Sequence, residues 1–161
     1  IATMFKSGDH VICGHNLYGG TPRLFNQVLA NFGMEFTYVD TSDVNNVERA
    51  IRINTRMVFV ETPTNPLMAL SDLQAIAKVS HARKVEVVVD NTFMSPYFQQ
   101  PLALGADMVV HSTTKFLNGH SDGLGGVVVC TKKEQLKNWL SSKKPLARFC
   151  LPSNAGSFCA E

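Results

Sequence analysis

Short apolar runs alternate along this chain with segments whose apolar positions fall at helical spacing. His10-Val11-Ile12-Cys13, Phe36-Thr37-Tyr38-Val39, Arg56 to Glu61 and Val85 to Asp90 read as strands, with Met108-Val109-Val110 a further short one. Between them, Leu24, Phe25, Val28 and Leu29 predict a helix that opens near Pro22 and stops at Gly33. Asp43 opens a second helix through Val47, Ala50 and Ile51, and Ser71-Asp72 caps a third whose apolar face carries Leu73, Ile76, Ala77 and Val79. Ile1 to Phe5 reads as the end of a helix, broken by Gly8-Asp9. Val85 to Val89 is apolar almost throughout, as a strand covered on both faces must be. The alternation therefore predicts an α/β fold of three layers, a mostly parallel sheet with helices on both faces. Thr62-Pro63-Thr64-Asn65-Pro66 forces an irregular extended turn after its strand, and the bond before Pro66 is the favoured candidate for a cis peptide.

A sheet of this kind presents its ligands beyond the carboxyl ends of its strands. Tyr18, Glu61 to Asn65, Asp90 to Thr92 and Ser112 to Lys115 would all fall on that edge. The stretch HSTTKFLNGHSDGLGG, His111 to Gly126, is polar and glycine-rich and follows the last apolar run. If it stays extended, the hydroxyls of Ser112 and Thr114 point the same way and can hold a phosphate. Lys115 beside them is either a point charge for that anion or an amine that condenses with a carbonyl. Asp90 ends a hydrophobic strand, where a carboxylate needs a positive or hydrogen-bonding partner, and a pyridinium nitrogen is one. A pyridoxal cofactor needs a lysine, an acid at its ring nitrogen and donors for its phosphate, and these residues supply one of each. Tyr18 offers a face to stack on the ring and Asn65 an amide for the ring hydroxyl. Simpler roles stand beside these: Asp90 as a cap, Tyr18 as a packing aromatic, Asn65 as a turn former and Lys115 as a solvated surface lysine.

Composition narrows the class without choosing the chemistry. The 161 residues, 45% hydrophobic and 17% charged, suit one soluble globular domain. A net charge of +2 makes no case for nucleic acid or an anionic membrane. No apolar run is long enough to span a bilayer, and no signal peptide stands at the start. Cys13, Cys130, Cys150 and Cys159 lack the spacing of a zinc site or a C-x-x-C pair, so the expectation is a cytoplasmic protein with reduced thiols. From a different class, His111, His120 and Asp122 offer candidate ligands for a metal-dependent hydrolase. A third reading is a non-catalytic remnant that binds only a partner.

LYGGT at 17–21, ETPTNP at 61–66, VVDNTFMSPYFQQPLALGAD at 88–107 and HSTTKFLNGHSD at 111–122 are long, ordered motifs. Through them the chain resembles the pyridoxal phosphate-dependent trans-sulfuration enzymes of cysteine and methionine metabolism. The resemblance implies an aspartate-aminotransferase-like large domain, here incomplete, and pyridoxal 5'-phosphate as cofactor. It implies that Lys115 is the Schiff-base lysine, Asp90 the partner of the ring nitrogen, Tyr18 the stacking aromatic, and Ser112 and Thr114 phosphate ligands. Asn65 and Thr92 take cofactor-side positions, and Arg23 a substrate contact. The segment FMSPYFQQPLALGAD is most similar to the cystathionine γ-lyase and γ-synthase branches, with the lyase preferred and homoserine sulfhydrylases as a further alternative. Branches with methionine γ-lyase activity typically carry cysteine where this chain has Gly20. An amino-acid substrate and a homotetrameric parent follow from the same resemblance. Residues 1–135 are expected to be the central part of the cofactor-binding large domain. Residues 136–161 depart from the family pattern and are expected to form a poorly packed tail.

Overall fold

The computed structural model describes Ile1 and residues 4–130. Its elements run β1 (His10–Gly14), α1 (Gly20–Gln27), β2 (Glu35–Val39), α2 (Val44–Ala50), β3 (Thr55–Glu61), α3 (Leu73–His81), β4 (Glu86–Asp90), the single turn α4 (Ser95–Phe98), β5 (Met108–Ser112) and β6 (Gly126–Cys130). Short 3₁₀ turns cover Leu29–Phe32 and Pro101–Leu104. The strands form one sheet in the order β2-β1-β3-β4-β5-β6. Pairs from β2 through β5 are parallel, and β6 returns antiparallel along the whole of β5, from Met108↔Cys130 to Ser112↔Gly126.

Successive residues of the strands enter two different cores, because side chains alternate across a strand. Ile12, Val58, Val60, Val87 and Val89 pack with Val47 of α2 and with Leu73, Ile76 and Ala77 of α3. Val11, Cys13, Met57, Phe59 and Val88 face the other way, against Phe25 of α1, Leu29, Met34 and the opening residues Ile1, Met4 and Phe5. Each fully buried valine or isoleucine contributes roughly 1.5–3 kcal/mol, so helices on both faces are needed to cover a sheet this apolar. Phe25 anchors the α1 side by stacking on Phe36 at 4.9 Å and meeting Phe59 edge-on at 5.7 Å.

Both expected caps are in place: Asp43 accepts from the N–H of Asn45 at 2.9 Å, and Asp72 from that of Ala75 at 3.0 Å. Several details differ from the sequence reading. The helix α1 opens at Gly20, ahead of Pro22, and ends at Gln27, so Leu29 packs from a 3₁₀ turn instead. The N–H groups of Met4 and Phe5 both donate to Ile1 O, and the helix end expected at the opening falls partly outside the described residues. Residues 126–130, which follow the glycine-rich stretch, add the antiparallel edge strand. Both Thr62-Pro63 and Asn65-Pro66 are cis, where one was expected. The expected change of character near Leu136 lies outside the described residues.

Candidate active site

The carboxyl ends of β1, β3, β4 and β5 bring Tyr18, Glu61 to Asn65, Asp90 to Thr92 and Ser112 to Lys115 to one edge of the sheet. Glu61 and Asp90 are register partners on adjacent strands, and Asp90 stands opposite Val110 of β5. Side chains then stitch the loops together. Glu61 Oε2 accepts from the backbone N–H of Tyr18 at 2.7 Å, joining the loop after β1 to the end of β3. Thr92 Oγ1 accepts from the N–H of Ser112 at 2.8 Å, joining β4 to β5. Asn91, fully buried, donates to Ser95 O and Gln99 O, and Gln99 Nε2 donates to Asn91 Oδ1 and to Thr62 O at 2.8 Å each.

Tyr18 is held by its backbone while the residue remains largely exposed, at 63%. The ring lies over Gly20, where an added Cβ would fall 2.6 Å from Tyr18 Cε1. Asp90 is half-buried, and its Oδ1 accepts from the N–H of Thr92 at 3.0 Å. The cap role considered for Asp90 is therefore real, but it occupies one oxygen only. Among the described residues neither Asp90 nor Lys115 forms an ion pair, and Lys115 is exposed. Asn65 is exposed in the turn after β3, and Arg23 is exposed on α1.

The alternation argument for Ser112 and Thr114 does not carry over, because β5 ends at Ser112 and the chain turns at once, with Lys115 N–H donating to Ser112 O at 3.2 Å. Thr114 Oγ1 accepts from Gly125 N–H at 3.0 Å and so belongs to the neck of the 113–125 loop. What gathers Ser112, Thr114 and Lys115 is this turn, not an extended face.

Two titratable groups at the edge carry shifts. Burial raises the Glu61 carboxyl above its ordinary value and the charge of Asp90 adds to this, while hydrogen bonding from the backbones of Tyr18 and Asn65 acts in the opposite direction. Burial lowers the His111 imidazole, against the pull of Asp90 and of the Asn91 backbone, and its Nδ1 is buried with no hydrogen-bond partner among the described residues. Among the described residues no group of three or more His, Cys, Asp or Glu is placed to hold a metal ion, so His111, His120 and Asp122 do not converge. The sequence places Glu61 and Asn91 on this edge without a role for either, and gives none to Gln99. Glu61 and Gln99 bond across to other loops, at Tyr18 N–H and Thr62 O, and a carboxylate at the end of a buried strand is the one sequence signal that points to such a bond.

The model of the Cys/Met metabolism PLP-dependent enzymes matches residues 1–156. The chain belongs to that family. The match continues past Leu136, where a departure from the family was expected. Cystathionine gamma-lyase of Bacillus subtilis (strain 168) is 52% identical over 134 residues, which are 83% of this chain and 35% of that protein. The protein named "Probable cystathionine gamma-synthase" of Herpetosiphon aurantiacus is 50% identical over 131 residues, 81% of this chain and 41% of that protein. The crystal structure of cystathionine gamma-lyase from Lactobacillus plantarum complexed with L-serine superposes with a TM-score of 0.84 at 48% identity, over 85% of this chain and 36% of that one. This chain thus spans about a third of the length of these Cys/Met metabolism enzymes, and its three-layer, mostly parallel fold is theirs. The residues gathered at this edge fit the family's pyridoxal phosphate: an amine, a carboxylate with one oxygen uncommitted among the described residues, hydroxyls at a turn and an open aromatic face.

Proposed function

We propose that this chain is the central part of the large domain of a pyridoxal phosphate-dependent trans-sulfuration enzyme, a cystathionine γ-lyase. The observation that carries the reading is the gathering of Tyr18, Asp90, Thr92 and the 112–115 turn on one edge, with Lys115 and Asp90 both free of ion pairs among the described residues. When bound, the cofactor supplies an electron sink for the carbanion left by loss of a substrate proton. Lys115 holds the cofactor covalently and is the base that moves that proton. Asp90 holds the ring nitrogen protonated with the oxygen that Thr92 leaves uncommitted. Thr92 Oγ1 accepts from Ser112 N–H with one of its two lone pairs and keeps its own hydroxyl proton to donate. Tyr18 covers the ring face, Asn65 addresses the ring hydroxyl, Ser112 and Thr114 take the phosphate, and Arg23 contacts the substrate. We further place the enzyme in the cytoplasm as a homotetramer. Among the described residues no helix is long and apolar enough to cross a membrane, and Tyr97, Phe98, Phe116 and Leu124 are exposed, as an oligomer's buried faces would be in a lone chain.

A γ-synthase is the second reading, favoured by the 50% identity to the Herpetosiphon protein. In the full-length enzyme, cystathionine cleavage assayed against cystathionine formation from an activated homoserine and cysteine separates the two. Lys115→Ala is expected to lose the yellow absorbance of lysine-bound cofactor and at least about a thousandfold in turnover. Lys78→Ala, on the exposed side of α3, leaves both within about twofold. Retained absorbance in the Lys115 variant would sink the assignment.

A further inference from the structure

We propose that Glu61 is a positioning residue that sets the place of the Tyr18 ring through the backbone. The inference rests on the reading of Tyr18 as the aromatic that covers the cofactor. Glu61 is buried at the end of β3, yet its carboxylate forms no ion pair among the described residues. Instead Oε2 accepts from Tyr18 N–H at 2.7 Å, and the backbone of Asn65 also hydrogen-bonds the carboxylate. One side chain therefore reaches two of the loops that carry proposed cofactor contacts. A buried carboxylate next to a second one, Asp90, is costly, and a neutral residue would spare the fold that cost. Its presence is explained if a charged acceptor is needed here, because a hydrogen bond to an ionised oxygen is about twice as strong as a neutral one.

The geometry around Tyr18 shows what the bond controls. Tyr18 N–H is fixed by Glu61, and Tyr18 O accepts from Thr21 N–H at 2.8 Å at the start of α1. The peptide units on both sides of this residue are thus clamped, and its Cα–Cβ direction is set without any contact to the ring. The ring is left exposed, lying where a Cβ on Gly20 would meet it. Glu61 accordingly acts on the aromatic wall by aiming it.

The test is made in the full-length enzyme with Glu61→Ala, Glu61→Gln and Glu61→Asp. Amide hydrogen exchange is followed at Tyr18 and, as a control, at Ile12 and Val89 in the core. In Glu61→Ala exchange at Tyr18 is expected to rise about tenfold or more, the range for losing a bond to a charged acceptor, with the core amides unchanged. Glu61→Gln keeps one acceptor oxygen and restores part of the protection, whereas Glu61→Asp is too short and does not. Cofactor release by dialysis should quicken in the same order. In a Tyr18→Ala background Glu61→Gln should add nothing further to release, since the two act as one unit. Unchanged exchange at Tyr18, equal loosening of the core amides, or additive effects on release would each overturn the proposal; should Glu61→Ala fail to fold, the Gln and Asp variants decide it. An enzyme that never binds cofactor would instead refute the proposed function, while the exchange result still decides the role of Glu61.

Discussion

At the scale of single residues, the closest constraint on this edge is the absence of a side chain at Gly20. A Cβ there would stand 2.6 Å from Tyr18 Cε1 and 3.2 Å from Cδ1, so the ring must swing away before any other residue is accepted. The ring is exposed and free to do so, and the protein should tolerate the change. Gly20→Cys is therefore expected to shift the thermal midpoint by no more than a few degrees, as for other exposed sites. Turnover in the full-length enzyme should change roughly ten- to a hundredfold, the scale of a misplacement of about 1 Å at a reacting centre. Thermal melts together with steady-state kinetics on cystathionine and methionine check this, and a large loss of stability without a kinetic change would contradict it. This is also the position at which the resemblance sets the methionine γ-lyase branches apart, and the contact gives that difference a physical form.

At the scale of elements, strands and caps were legible because their signals are local. Val87, Val88 and Val89 leave no polar face, and Asp43 and Asp72 stand where a helix's first free N–H groups need an acceptor. The order β2-β1-β3-β4-β5-β6 was not legible, nor was the antiparallel return of β6, whose Gly126 closes a run that reads as ligand loop. The identities of the site residues came from motifs, but the bonds that align them did not. Tyr18 to Glu61 spans 43 residues and Thr92 to Ser112 spans 20, and a side chain meeting a distant backbone N–H leaves no period in the sequence. Asn91 acts over a shorter range, on carbonyl groups four and eight residues ahead. It holds the segment through α4 by donating to Ser95 O at 3.1 Å and Gln99 O at 2.9 Å, and it accepts from Gln99. Asn91→Ala takes the Asn91 amide away from Gln99 O, while Ser95 O keeps Gln99 N–H and Gln99 Nε2 keeps Thr62 O, and it should cost roughly 1–3 kcal/mol. Urea titration should show this loss, and proteolysis should cut first within 91–99. A variant as stable as the parent would mean that water replaces the amide there.

At the scale of the whole molecule, the sheet has two differently used ends, and the amino end carries a titratable residue with no part in the proposed chemistry. His10 opens β1 opposite Glu35 of β2 and Thr55 of β3, and it is fully buried. Its Nδ1 lies 2.8 Å from Thr55 Oγ1 and its Nε2 2.9 Å from Thr37 Oγ1. Thr37 Oγ1 already accepts from Arg52 Nη2 at 3.0 Å, and Thr55 Oγ1 from the N–H of Arg52 at 2.7 Å. Burial, then the Arg52 charge, lower the His10 imidazole below its ordinary value, with Glu35 pulling weakly the other way. In the unfolded chain the imidazole takes up its proton near pH 6.5; in the folded one it resists until a lower pH. The unfolded state therefore binds more protons between those two values, and stability falls as the pH drops through that window, having been level above it. His111, lowered by burial as well, adds to the same slope from the other end of the sheet. In the full-length enzyme the urea midpoint should decline from pH 7.5 to 5.5. In His10→Gln, which keeps a donor and an acceptor but cannot be charged, that decline should be shallower, with His111 contributing to what remains. Identical slopes for the two proteins would show that His10 takes up its proton at the same pH folded and unfolded, with Glu35 offsetting both the burial and Arg52.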